Sequence, residues 1–420
     1  MKLLKVDTID EAREKLLNYA KALPLKTETI PLGEIAGFGF TGNLGSAQKR
    51  ILAEDIYTPC DIPSFRRSTV DGYAVLSGDT AAAGETIPVF LKQAGKVSMG
   101  KAAGFSVKSG ECAYVPTGGM LPDGADAVVM IEYCEAAGNS VAIYEAVANG
   151  AGVALAGEDL KKGELLLRRG ASIRPQEAGA MAAAGITHAP VFVPLKISII
   201  STGDELVPAE EEPSPGKIRD INSYTLKAQA AARGFNVVSC RLLPDKEDML
   251  EAAAREALAA SDLLVISGGS SQGEKDNTEK IISRIAKPGV FTHGLALKPG
   301  KPTILAWDGE SKTVIAGLPG HPAAAMIVFE LILGWLADRL FNQTSPRPIP
   351  ARISCNVPGS PGRTVCLPVI LHLKDSSYTA EPIFGKSGMI TTLTRADAYI
   401  FIDLNKEGLK KDEPVLVYLF

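Results

Sequence analysis

The chain has 420 residues, with 44 Lys and Arg against 48 Asp and Glu, a formal net charge of −4, 46% hydrophobic and 22% charged residues. Single cores stop growing at roughly 250 to 300 residues, so two to four domains are expected, and the near balance of charge excludes an overall basic field for nucleic acid or acidic membranes. Six cysteines (Cys60, Cys112, Cys134, Cys240, Cys355, Cys366) without CxxC spacing and four scattered histidines argue against a zinc site or a disulfide framework.

No stretch reaches the roughly 18 apolar residues of a membrane span, and MKLLKVDTIDEAREKLL reads as an amphipathic helix rather than a signal peptide, so the cytoplasm is the expected compartment. That helix covers residues 7–22, with Asp7 or Thr8 as its N-cap. Residues 55–147 are short β-like runs broken by turns (YAVLSG, ETIPVFLKQ, ECAYVPTGG, ADAVVMIEYCE, SVAIYEAV) and predict an all-β module. It interrupts an N-terminal and connecting region made of residues 1–54 and 148–176. Over residues 177–342 strands alternate with helices at 176–185, 222–233, 246–260, 276–286 and 322–340, the pattern of a doubly wound parallel sheet. QTSPRPI (343–349) is a Pro-rich linker, and residues 346–420 form a C-terminal β domain with strands near 351–356, 365–373, 398–403 and 414–419. The fold class is multidomain α/β and β: a central doubly wound α/β domain with an inserted β module, a connecting region and a C-terminal β domain.

Chemistry concentrates at strand ends. KISIISTGDEL (196–206) is an apolar run that stops at Gly203 and releases Asp204 and Glu205; DLLVISGGSSQGEKDNTEK (262–280) ends in Gly268, Gly269 and Gly273 before a helix near Asp276. Ligands of open α/β sheets bind outside the carboxyl ends of strands, and free N–H groups at helix N-termini attract phosphate. Asp204, Glu205, Asp245 and Asp276 come from three strand ends. Each alone reads as a helix cap; together they suit a hard cation such as Mg²⁺ shared with phosphate oxygens. Lys298 and Lys301 flank a Pro-Gly-Lys-Pro turn that aims cations or simply sits at the surface. His321 reads as a loop histidine, a ligand or an acid. In the β module, Asp71-Gly72 marks a turn, and Arg66, Arg67, Ser68 and Thr69 form a cluster of donors for phosphate or a solvated basic loop.

Taken together, DGYAV (71–75), VPTGG (115–119), ADAVVMIE (125–132), GED (157–159), STGDEL (201–206), SGG (267–269), GEKD (273–276), KPGKP (298–302) and GLPGHP (317–322) resemble the molybdopterin molybdenumtransferase family, the molybdenum insertases also called MoeA, with the gephyrin E domain among its eukaryotic relatives. The resemblance spans nearly the whole chain. It implies a molybdopterin-binding type of α/β domain and an elongated homodimer of four-domain subunits, with the active site between the α/β domain of one subunit and the β module of the other. It implies insertion of molybdate into adenylylated molybdopterin with Mg²⁺-dependent release of AMP. Carried over by position, the catalytic acids are Asp71, Glu205, Asp245 and Asp276, with Glu205 and Asp276 on Mg²⁺. Substrate-binding positions are Ser68, Thr117, Asp159, Gly268, Gly269, Lys298, Lys301, Pro319, Pro322 and Ser387. Expected partners are a molybdopterin adenylyltransferase and molybdoenzyme apoproteins or their chaperones, with no nucleic acid and no membrane.

Three features depart from the commoner family pattern. Arg66-Arg67-Ser68-Thr69 stands where many members have Asp-Asn-Ser-Ala, GFGFTGNLGSAQK (37–49) reads as an insertion, and His321 occupies a position often held by Asn. They leave the oxyanion open between molybdate and tungstate. An adenylyltransferase is disfavoured by the extra modules, a non-catalytic scaffold by the lack of a long interaction segment, and a dinucleotide oxidoreductase by the lack of GxGxxG after a first strand.

Overall fold

A computed structural model describes residues 6–35, 49–268, 277–343, 347–374, 376–386 and 388–420. The helix Ile9–Ala20 starts at Thr8, whose hydroxyl accepts from Glu11 N at 3.2 Å while the Glu11 carboxylate accepts from Thr8 N at 2.8 Å, a reciprocal cap. Ala12, Leu16 and Ala20, four residues apart, lie on one side and are buried against Leu305 and Val314; Tyr19 stacks on Phe291 with ring centroids 4.9 Å apart. Residues 1–54 were expected to form part of the connecting region. Their first helix instead docks on the central sheet, because that sheet supplies the apolar surface its stripe needs.

The connecting region is built from short antiparallel pairs, Thr27–Pro31 with His188–Phe192 and Ile56–Tyr57 with Leu165–Leu167. Helix Pro175–Ala183 contributes Met181 to their buried cluster with Ile30, Leu52, Ile56, Ala189 and Val191. This helix, expected to open the α/β domain at residue 177, therefore packs with the connecting region, and the central sheet begins at Lys196. The β module is a six-stranded sheet ordered Ala127–Met130, Gly72–Val75, Glu111–Val115, Val89–Lys96, Ser140–Ile143, Cys134–Ala137. A Cβ on Gly72 would lie 2.0 Å from Val129 O, so the residue after Asp71 has to be glycine.

The central sheet has six strands in the order Asn236–Leu243, Lys196–Thr202, Leu263–Ser267, Thr313–Leu318, Ile304–Asp308, Pro288–His293. Alternation along each strand fills both faces. Ile197, Ile199, Leu263, Val265, Val314 and Ala316 meet Leu226 and Ala230 of helix Asn222–Ala232 and the apolar helix Pro322–Phe329. Ile200, Leu264, Ile266, Ala306 and Ile315 meet Leu250 and Ala254 of Glu247–Ala260 and Ile281 and Ile282 of Asn277–Ile285. The sheet is doubly wound, with one departure from the expected all-parallel pattern. Ile304–Asp308 runs antiparallel to both neighbours. Residues 309–312, its link to Thr313–Leu318, are far too few for a parallel crossover. The expected helix 322–340 is one rod with a π-helical turn at Glu330–Gly334, where Arg233 pairs with Glu330 and Asp338.

In the C-terminal region, strand Thr364–Lys374 pairs with both Ser377–Pro382 and Ala398–Ile402 and closes the sheet into a barrel around Ile353, Val369, Ala380, Ile400 and Val417. Ser377–Pro382 was not expected from sequence; its short, polar, half-exposed run hides the strand. Tyr399, Phe401 and Tyr418 lie against the central core. Among the described residues no helix is long and apolar enough to cross a membrane. Phe329 is fully buried in the central core, and Phe329→Ala is expected to cost about 3–5 kcal/mol in urea unfolding; a loss below about 1 kcal/mol would contradict this packing.

Candidate functional site

A cleft of ≈ 670 Å³ opens at the carboxyl edge of the central sheet. Four strand ends line it: Thr202 and Glu205 after Lys196–Thr202, Asp245 after Asn236–Leu243, Ser267 and Gly268 at the end of Leu263–Ser267, and Pro319, Gly320, His321 and Pro322 after Thr313–Leu318. Asp220 and Asn222 enter from the turn ahead of helix Asn222–Ala232, and Pro302 and Gly388 complete the wall. Two of these strands, Lys196–Thr202 and Leu263–Ser267, end in hydroxyl residues where the chain leaves its apolar neighbours.

The side chains are held by one another. Thr202 Oγ1 donates to Asp245 Oδ1 at 2.6 Å, and Asp245 N donates to Asp204 Oδ1 at 3.0 Å. Asp220 is buried, and its Oδ1 accepts from Ser201 Oγ at 2.9 Å and from Ser223 N at 3.2 Å. Gly268 has φ +113°, and a Cβ there would sit 2.0 Å from Thr202 O. Backbone can therefore approach a ligand where a side chain would block it. Helices Asn222–Ala232 and Pro322–Phe329 both begin at the cleft, which turns the positive ends of their dipoles toward it.

Three carboxylates, Glu205, Asp220 and Asp245, share this cleft. Arg219 also lines it, but its guanidinium is occupied by Glu212 at 2.6 Å and by the carbonyls of Ala209 and Glu211 at 3.0 and 3.1 Å. An anion entering here needs the backbone N–H groups and a cation of its own. The donor set is hard carboxylate and hydroxyl oxygen, which suits Mg²⁺ and not a thiolate-seeking metal. Among the described residues no three His, Cys, Asp or Glu already gather as a ligand cage. Burial raises the Cys240 thiol above its ordinary range, and its sulfur donates to Ser223 O at 3.7 Å, so it packs beneath the helix instead of acting as a nucleophile.

Of the residues expected from sequence, Glu205, Asp245, Gly268, Pro319 and Pro322 meet in the cleft. Gly269, Asp276 and Ser387 lie outside the described residues. Lys298 is exposed on the strand Leu297–Lys298, which pairs with Thr364–Val365 of the barrel, and Lys301 is half-buried; neither is among the lining residues. A second group forms in the β module. Asp71 Oδ1 accepts from Thr117 N at 2.7 Å, and the Ser68 carbonyl accepts from Gly118 N at 2.7 Å, so DGYAV and VPTGG are one structural unit. Ser68 is buried, its hydroxyl donating to Val70 O at 2.5 Å, and Arg66 Nη1 donates to Ala125 O at 3.1 Å. Ser68 and Arg66 thus each donate to a carbonyl inside the β module, while Arg67 and Thr69 are exposed. Asp159 is exposed on a turn fixed by its N–H to Ile62 O at 3.0 Å. None of the residues lining the cleft comes from the β module. Sequence reasoning missed Asp220 and Asn222; their signal was an acid and an amide bracketing the start of a helix.

An inserted β module, a doubly wound domain with an acidic, glycine-floored cleft at its strand ends, and a C-terminal barrel define a multidomain α/β and β protein whose ligand site lies at the carboxyl edge of its central sheet. The family profiles described as MoeA N-terminal region (domain I and II), probable molybdopterin binding domain, and MoeA C-terminal region (domain IV) match residues 8–185, 198–338 and 350–420. Molybdopterin molybdenumtransferases of Haemophilus influenzae and Bacillus subtilis are 29% and 30% identical, over 98% of both chains for the first and over 88% of this chain and 87% of the relative for the second. The crystal structure of a molybdopterin biosynthesis MoeA protein from Pyrococcus horikoshii superposes with a TM-score of 0.77 at 34% identity, covering 99% of each chain. The chain belongs to the MoeA family of molybdopterin molybdenumtransferases, enzymes of molybdenum cofactor biosynthesis.

Because Gly268 holds a left-handed backbone against Thr202 O, Gly268→Ala is expected to lose about 1–3 kcal/mol of stability in urea titration and to weaken ligand binding. Wild-type stability and affinity together would show that the loop tolerates a side chain.

Proposed function

We propose that this enzyme inserts molybdate into the dithiolene of adenylylated molybdopterin and releases AMP, using Mg²⁺. The observation that carries this assignment is the acidic cleft lined from four strand ends of a family whose curated members are molybdopterin molybdenumtransferases. Glu205 and Asp276 would hold Mg²⁺, with Asp245 beside them; the ion, when bound, neutralises charge on the phosphates and so assists departure of AMP. The remaining work belongs to the protein. Thr202 fixes the Asp245 carboxylate through the 2.6 Å hydrogen bond, leaving its second oxygen for the ligand side. Gly268 lets the backbone close on the phosphates, and the starts of helices Asn222–Ala232 and Pro322–Phe329 favour negative charge. Lys298, Lys301 and Ser387 would meet the oxyanion.

A homodimer completes the site. In the β module Asp71 is held by the Thr117 N–H, yet Asp71, Thr117, Ser68 and, from the connecting region, Asp159 contribute nothing to the lining of their own subunit's cleft, which supports a cleft filled by the partner subunit's module. On this assignment the enzyme works in the cytoplasm, downstream of a molybdopterin adenylyltransferase and upstream of molybdoenzyme apoproteins or their chaperones.

AMP release from adenylylated molybdopterin with Mg²⁺, run with molybdate, with tungstate and with neither, tests the assignment. Release that depends on an oxyanion supports insertion and identifies the preferred metal; tight binding without release would move the protein to a carrier role. Glu205→Ala and Asp276→Ala are expected to abolish release with the fold intact, and wild-type rates in both would remove the metal assignment. Mixing inactive Asp71→Ala with inactive Asp245→Ala should restore about a quarter of wild-type activity by random subunit exchange, since only mixed dimers carry one intact site. No recovery would place both acids in one subunit's site.

A further inference from the structure

We infer that Asn222 is a positioning residue for the molybdopterin site, setting the separation of the ends of strands Leu263–Ser267 and Thr313–Leu318 that line it. Its carboxamide is buried at 6% exposure, beneath the cleft it helps to line. Nδ2 donates to Ser267 Oγ at 2.8 Å and to Gly320 O at 2.8 Å. Ser267 Oγ in turn donates to Pro319 O at 3.3 Å. One amide group thus bridges the end of Leu263–Ser267 and the turn after Thr313–Leu318, where Gly320 approaches Gly268 so closely that a Cβ on it would sit 3.7 Å from the Gly268 Cα. Two residues earlier, Asp220 ties the same turn to Ser201 on the neighbouring strand at 2.9 Å. Asp220 and Asn222 together therefore clamp three adjacent strand ends, each of which lines the cleft.

The amide orientation is fixed, because exchanging its oxygen and nitrogen would set Oδ1 against the Gly320 carbonyl, acceptor to acceptor. That leaves Oδ1 buried and without a hydrogen-bond partner among the described residues. An unmet buried acceptor lowers stability, and an apolar side chain at the same place would avoid it. What only an amide provides is two donors in one plane, aimed at a hydroxyl and a carbonyl on different strands. A side chain that costs stability while fixing two ligand-facing loops serves the site.

The inference rests on the molybdopterin-handling assignment of this cleft and not on AMP release. Anaerobic titration with molybdopterin, followed by protein fluorescence, is compared for wild type, Asn222→Ala and Asn222→Asp, the second keeping the shape while removing both donors. Each variant should stay folded, with at most a modest fall in melting temperature because the unmet Oδ1 offsets part of the two lost hydrogen bonds, and bind molybdopterin at least about tenfold more weakly. Hydrogen exchange should speed up in peptides ending at Gly268 and spanning 318–322 and nowhere else. Ser267→Ala combined with Asn222→Ala should weaken binding less than the sum of the two, as expected for one shared link. Affinity within about twofold of wild type for both variants, or a loss that merely tracks a lower melting temperature and global exchange, would overturn the inference. Wild type that binds molybdopterin without releasing AMP would sink the insertion chemistry and leave this comparison intact.

Discussion

The two-sided burial of the central sheet is the constraint on which everything else depends. Ile197 and Ile199 face one helical layer while Ile200, Leu264 and Ile266 face the other, so the inner strands are almost wholly apolar, with the buried Ser198 an exception, and their polar side chains gather at the ends. Ser201, Thr202 and Ser267 are still buried there, and each must find a partner. Their partners are Asp220 and Asn222 from the turn that opens helix Asn222–Ala232 and Asp245 from the loop after Asn236–Leu243. The need to satisfy hydroxyls at the edge of an apolar sheet thus gathers the loops into a single cleft, and the parallel direction of the strands puts that cleft at one edge.

The same economy governs charge. Three carboxylates in one cleft repel each other, and the one arginine at its margin is spent on Glu212 and on backbone carbonyls. Such a cleft repels a bare anion and favours a ligand that arrives with a cation. Its anion-binding capacity lies in backbone N–H groups and helix starts, which carry no net charge and are unaffected by the surrounding acids.

The β module shows the complementary design. Asp71, held by the Thr117 N–H at the turn between two strands, is exposed and rigid, and Gly72 behind it is pressed against Val129 O. This acid lies on the surface and is not among the residues that line the cleft. The barrel is tied in by a different device. Tyr399, Phe401 and Tyr418 cover the central core, while Leu297–Lys298 adds to the barrel edge, so the turn carrying Lys298 is braced from both sides.

The sequence by itself determined the central helices, the strand ends and the acids released there, since periodicity and Gly/Asp/Glu punctuation are local signals and STGDEL and SGG carry them openly. Glu205, Asp245 and Gly268 could be found that way, and the family's motifs could be read off without coordinates. Tertiary structure decided what depends on which apolar surface lies opposite. Helix Ile9–Ala20 joined the central core and helix Pro175–Ala183 left it, because Leu16 and Met181 found different partners. The strand Ser377–Pro382 had too little apolar pattern to be read and is held by its neighbours in the barrel. Arg66, open in the sequence between a phosphate donor and a solvated basic loop, donates to Ala125 O, while Asp220 and Asn222, which sequence reasoning did not single out, hold three strand ends together. Hydrogen-bond partners distant in sequence leave no trace in the local pattern, and only the folded chain brings them within reach.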